Sequence, residues 1–191
     1  QSGAHDLILQ RFLKRQADIL IGTQMLAKGL DLPLVTLVGI VSADIGLYLP
    51  DFRTGERTYQ LLAQVAGRAG RGLLGGKVIL QTYQPENYAI VAAAKHDYAG
   101  FYAQEITYRR DMGYPPFRRL VRVLFRDDRE ERAKSEAKRA AALLNQRIEQ
   151  LELTGTEIIG PVPCFFNRLN RVYRWHILLR GPNPTTLFAA H

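Results

Sequence analysis

The spacing of apolar positions changes several times along the chain, and each change marks an element. Leu7, Ile8 and Phe12 recur at helical spacing between His5 and Arg15, and residues 18–22 then predict a short buried strand. A second apolar run, Leu34 to Val41, predicts another strand that ends at the polar Ser42 and Asp44. Thr54 to Ala66 predict a helix, and Lys77 to Tyr83, after the Gly75–Gly76 turn, a third strand. Near-continuous apolar strands that alternate with helices predict a parallel sheet covered on both faces. Three strands are few for such a sheet, so the first half reads as a domain whose beginning is missing.

The pattern from Pro85 to about Met112 is helical, and Gly113, Pro115 and Pro116 stop it, because proline cannot continue a helix. Arg119 to Arg126 then alternates. Val121, Val123 and Phe125 share one face and Leu120 and Arg122 the other, which predicts a half-buried strand. Asp127 or Asp128 is placed to cap a following helix, whose apolar stripe is Ala133, Ala137, Ala141, Leu144, Ile148 and Leu151. Two more strands are expected over Thr154 to Val162 and Arg171 to Leu179, and Pro184 opens a last helix. The order β-α-β-β-(α) predicts an α+β sandwich of the ferredoxin-like kind without its last strand.

A length of 191 residues and 47% hydrophobic content suffice for one large or two small cores. No apolar run approaches the ~20 residues of a membrane span, so no membrane partner is expected. The lone Cys164 excludes an internal disulfide and a multi-cysteine metal site, and reads as a small buried apolar residue. A net charge of +8 favours a polyanionic partner without establishing one.

Three segments carry candidate chemistry. In the first, residues 22–33, Gly22 and Gly29 let backbone amides approach an anion, Thr23 and Gln24 offer polar side chains and Lys28 a point charge. An ordinary connecting loop fits the same residues. In the second, Asp44 lies at a strand's carboxyl end, where it can orient an arginine or cap the strand, with Arg53 and Arg57 one turn apart behind it. The third is Gln64 to Gly72, where Gly67 and Gly70 interleave with Arg68 and Arg71. The two guanidinium forks suit a phosphoryl group, and the glycines bare the backbone at about 1 kcal/mol each in helix stability. A basic helix end with a glycine stop is the plainer reading. All three segments are expected on the carboxyl edge of one parallel sheet, where ligands bind in open sheets of this class.

The wording of these segments resembles the superfamily 2 helicases. Ile19 to Asp31 is similar to their motif V, and Gln64 to Arg71 to their motif VI, Q-x-x-G-R-x-G-R. The stretches Ala43 to Leu47, Pro50 to Arg53, Gln81 to Tyr83, His96 to Tyr98, Gly113 to Phe117 and Tyr173 to Trp175 narrow the resemblance to the primosomal N-prime family of bacterial replication-restart helicases. The resemblance covers nearly the whole chain. It implies a partial RecA-like motor lobe over residues 1–96, a helical connector over 97–118 and a C-terminal α+β domain over 119–191. It also implies an ATP-dependent 3′-to-5′ DNA helicase that recognises stalled forks and starts primosome assembly in the bacterial cytoplasm. Arg68 and Arg71 would reach ATP phosphates held with Mg by the other lobe, Arg71 as arginine finger. Gln64, Gly67 and Asp44 would couple ATP to DNA, and Thr23, Gln24, Lys28 and Gly29 would touch the tracked strand. Implied partners are forked and single-stranded DNA, single-stranded DNA-binding protein, and primosome and helicase-loading proteins.

The departures matter as much. The phosphate loop G-x-x-x-x-G-K-[ST] and the zinc-binding cysteines expected in the full-length family are absent from this sequence, so it holds half an ATP site and no zinc ligands. The chain alone is expected to be inactive. The segment from Phe165 to Trp175 interleaves aromatics with Arg168, Arg171 and Arg174, which suits phosphate contact and base stacking, an acidic peptide tail, or in part simple core burial. The alternative to a motor fragment is a non-catalytic module that binds nucleic acid or protein. A complete small nucleotide-binding enzyme is disfavoured by the missing phosphate loop.

Overall fold

The computed structural model describes residues 2–23, 35–69 and 76–189. The chain divides into two compact units, Gln1–Tyr102 and Ala103–His191. Among the described residues, no helix is long and apolar enough to cross a membrane.

In the first unit, α1 (Ser2–Leu13) precedes β1 (Leu37–Ile40), a 3-10 turn (Ala43–Tyr48), α2 (Thr54–Ala69), β2 (Lys77–Leu80) and α3 (Tyr88–Ala94). The strands β1 and β2 pair in parallel from Leu37 opposite Lys77 to Ile40 opposite Leu80, which is the βαβ unit that the sequence predicts. α2 buries Thr58, Tyr59 and Leu62. Tyr59 stacks on Phe101 at 4.4 Å between ring centres, and Tyr88 lies on Phe101 at 5.8 Å. The helical stretch expected from Pro85 is two helices, α3 and α4 (Tyr98–Asp111). They are separated at His96, whose φ of 54° ends α3, while Asp97 Oδ1 accepts the Gly100 amide to start α4.

The strand expected over residues 18–22 is not formed. Ile19 and Ile21 are exposed, the latter at 90%. A strand apolar on both faces needs strand neighbours and cover above and below, and neither β1 nor β2 pairs with it.

The second unit is a three-stranded antiparallel sheet in the order β3 (Arg119–Asp127), β5 (Val172–Gly181), β4 (Glu157–Leu169), crossed by α5 (Glu130–Gln150). With β4 parallel to β3 and β5 inserted between them, this is the ferredoxin-like arrangement lacking a fourth strand among the described residues. Ala133, Ala137 and Ala141 are buried on α5, and their small side chains bring the helix close to Ile177 and Leu179 on the central strand. Val121, Val123 and Phe125 face the same core. The N-cap of α5 is Arg129, neither of the two aspartates, and Asp127 Oδ1 instead accepts the Arg129 amide at 2.8 Å in the turn before it. Pro184 opens a short 3-10 turn (Pro184–Phe188). On α4, Glu105 and Arg109 form an ion pair at 2.7 Å, with Glu105 buried.

Candidate nucleotide and nucleic-acid surfaces

Asp44 is 2% exposed and ties the two parallel strands together at their carboxyl ends. Its Oδ1 accepts the Thr82 hydroxyl at 2.5 Å and its Oδ2 the Tyr83 amide at 2.9 Å. The Thr82 hydrogen bond, aided by the Tyr83 amide, holds the carboxyl below its ordinary pKa against the opposing effect of burial. Both oxygens of Asp44 are thus engaged within the fold. Arg53 and Arg57 are not free cations either, since Asp51 binds them at 3.3 Å and 2.8 Å. Burial raises the Asp51 pKa, but the Arg53 hydrogen bonds and the charges of Arg53 and Arg57 more than offset this and leave it lowered.

The exposed stripe of α2 carries Arg57, Gln60, Gln64 and Gly67 at helical spacing. A side chain at Gly67 would meet nothing within 4 Å, so the backbone there is open to an approaching group. Arg68 follows Gly67 in α2, but its side chain lies outside the described residues, as do Arg71, Gln24, Lys28 and Gly29. Thr23 is exposed.

Asp44 and the stretch from Gln64 to Gly67 lie at different ends of the parallel pair. A helix that joins parallel strands must run back from the carboxyl end of the first to the amino end of the second. Gln64 therefore lies about 15 Å along α2 from Thr54, counted at ~1.5 Å per residue, and away from Asp44. The structure does not bring Asp44 together with Gln64 and Gly67.

In the second unit, the basic segment from Phe165 to Trp175 is split between two strands and a turn. β4 runs on to Leu169, so Arg168 is a strand residue opposite Tyr173 and not part of the turn, and its guanidinium sits 5.0 Å from that ring's centre. Only Asn170 and Arg171 form the turn, both left-handed, with φ of 52° and 66°. The extension was hidden by a large bulge in which residues 164–167 of β4 face Arg174 alone. There Phe165 and Phe166 stand 61% and 60% exposed, edge to face at 5.0 Å.

The aromatic face of β5 is turned toward α5, where Lys134 lies 5.9 Å from the Trp175 ring centre. Arg174 is on the opposite face, and β5 is the central strand, so Arg168 and Arg174 do not converge. That opposite face also carries Arg122, Arg126 and His176, and the spacing of β3 could have pointed to it. Arg122 donates to Cys164 Sγ at 3.1 Å, and His176 Nδ1 lies 3.2 Å from the same sulfur. Cys164 is buried, as expected. Burial, with the charges of Arg122 and Arg174, lowers the His176 pKa. Among the described residues, no cluster of three or more His, Cys, Asp or Glu is arranged to hold a metal.

Residues 2–72 match the helicase conserved C-terminal domain, and residues 110–190 match the primosomal protein N C-terminal domain. The chain is 42% identical over 189 residues to replication restart protein PriA of Bacillus subtilis, covering 99% of this chain and 23% of that protein. It is 43% identical to replication restart protein PriA of Synechocystis, over 96% of the chain and 22% of the relative. The protein of the same name from Treponema pallidum is also 43% identical, over 96% of the chain and 27% of the relative. The chain thus spans about a quarter of the length of the curated relatives it matches. With the two domains in this order and relatives aligned along nearly all of its residues, the chain belongs to the PriA family of replication restart proteins.

Proposed function

We propose that the chain is the second-lobe and C-terminal part of an ATP-dependent 3′-to-5′ DNA helicase that acts at stalled replication forks and initiates primosome assembly. The observation that carries this reading is the exposed stripe of α2. It presents Gln64 and the bare backbone of Gly67, which precede Arg68 and Arg71 in sequence, inside the stretch that matches the helicase domain. Hydrolysis of ATP supplies the energy for strand separation, with the nucleotide and Mg held mainly by the companion lobe. In this division of labour Arg71 stabilises charge on the transferred phosphoryl group as arginine finger, Arg68 assists, and Gln64 links the nucleotide state to DNA. Gly67 keeps the approach clear. Asp44 contributes by locking the ends of β1 and β2.

Thr23, Gln24, Lys28 and Gly29 contact the backbone of the tracked strand in this reading. Arg168, Arg171 and Arg174 contact fork DNA from two faces of the C-terminal sheet. Arg171 supports this most strongly, because it occupies a left-handed turn position at which glycine is preferred. Further partners are single-stranded DNA-binding protein and the primosome and helicase-loading proteins. Zinc belongs to parts of the full-length protein outside this chain.

The test is DNA-stimulated ATP hydrolysis by the full-length protein, with Arg71→Ala as the variant. Loss of turnover with DNA affinity retained supports the motor reading. Loss of DNA affinity with normal turnover supports the non-catalytic module instead.

A further inference from the structure

Arg126 on β3 and Arg174 on β5 are directly opposite one another, on the sheet face that α5 leaves open. Like charges in such cross-strand positions repel and destabilise the pair. Neither arginine has a hydrogen-bond or ion-pair partner among the described residues, and the Arg174 Nε is buried without one. Glu157, on the same face, is bound to Arg180 at 2.6 Å and is not available to them. Leu169, Asn170 and Val172 complete the wall of a shallow cavity of about 260 Å³, open to solvent. Two unpaired forks of donors thus stand beside an apolar wall with one amide at its rim.

We propose that this cavity takes one unpaired nucleotide of single-stranded DNA, its phosphodiester held between Arg126 and Arg174 and its base laid against Leu169 and Val172. This rests on the reading of the chain as part of a DNA helicase, and it goes further by naming a subsite and a strand state. An arginine fork matches phosphate oxygens in pairs, and an anion between the two guanidinium groups removes their repulsion. The Asn170 amide is placed to bond a base edge. A base stacked inside a duplex cannot enter such a cavity without leaving its helix. The exposed rings of Phe165 and Phe166 on β4 offer neighbouring bases a surface for stacking.

The experiment is fluorescence anisotropy with the intact chain and three labelled probes: oligothymidylate, an abasic oligomer of equal length and charge, and a blunt duplex. The Arg126→Gln, Arg174→Gln double variant should bind oligothymidylate about tenfold or more weakly, with a smaller loss on duplex. Wild type should prefer oligothymidylate to the abasic oligomer, and Leu169→Asp should erase that preference. The thermal midpoint of Arg126→Gln should not fall, because the substitution relieves a like-charge pair. Equal affinity of wild type for the two oligomers, an equal loss on duplex, or a fall in that midpoint would overturn the proposal. So would displacement of an acidic peptide, but not of DNA, by the double substitution. If Arg168→Ala with Arg171→Ala weakens DNA binding while the Arg126/Arg174 variant does not, the DNA reading stands and this subsite falls. If neither pair matters, both fall.

Discussion

Arg171 should be a residue whose removal strengthens the fold and weakens DNA binding. It is the second residue of a two-residue hairpin turn, at φ 66°, after Asn170 at φ 52°. Turns of this class need positive φ at both positions and favour Asn followed by Gly. A left-handed conformation costs a residue with a Cβ roughly 1–2 kcal/mol. Arg171→Gly removes that cost but adds freedom to the unfolded chain, which takes back about 0.5–1 kcal/mol. The net gain is therefore about 0–1.5 kcal/mol, and its centre near 0.75 kcal/mol corresponds to a rise of roughly 3–6 °C in the melting midpoint of a unit this size. If Arg171 holds a phosphate as proposed, the same substitution should lower the slope of log affinity against log salt by about 0.7 for single strands. Between 50 and 200 mM salt, wild type should lose roughly 2.5-fold more affinity than the variant. The assays are circular dichroism melting of the intact chain and anisotropy with labelled single-stranded DNA across a salt series. Arg171→Lys keeps the charge and the backbone cost, so it should match wild type in both. A lowered midpoint for Arg171→Gly would refute the turn argument, and an unchanged slope would refute the phosphate contact.

Two titratable groups give further expectations. Asp44 has a lowered pKa, so its contribution is present above the unfolded value of about 3.9 and is lost as pH falls through the folded one. Asp44→Ala should reduce stability at neutral pH and flatten its decline in acid, measured by denaturant midpoints from pH 2 to 7; an unaltered acid profile would contradict this. His176 also has a lowered pKa, faced by Arg122 on β3, Cys164 on β4 and Arg174 on its own strand. The unfolded chain therefore binds the proton more readily, and stability should fall as pH drops below about 6.5. A phosphate on this face would raise the pKa again, so DNA affinity should decline more steeply from pH 6 to 8 in wild type than in His176→Gln.

The elements written in a single clean period were legible in the sequence. The alanine stripe of α5 and the alternation of Val121, Val123 and Phe125 predicted which faces are buried, and the apolar runs around β1 and β2 predicted a parallel pair. What failed depended on neighbours. Ile19 and Ile21 have the composition of a buried strand, but composition does not supply the strands that would bury them. The bulge over residues 164–167 breaks the two-residue period, so the sequence predicts a strand that ends seven residues early, at Val162, and leaves Arg168 outside it. The placement of Asp44 and Gln64 depends on helix direction instead. Nearness in motif order does not survive a helix that carries the chain back along the sheet. The pairing of Arg126 with Arg174 depends on the register between strands far apart in sequence, which no local spacing encodes.

As proposed here, Gln64 to Arg71 completes an ATP site built by a companion lobe. The most direct measurement is steady-state ATP hydrolysis by the full-length protein with saturating single-stranded DNA, comparing wild type, Arg68→Ala and Arg71→Ala, with this chain alone as a control. Arg71→Ala should lower kcat by about 10³-fold or more with DNA affinity unchanged, Arg68→Ala should lower it less, and this chain alone should show no turnover. Normal kcat in Arg71→Ala, or DNA-stimulated hydrolysis by this chain free of other enzymes, would contradict it.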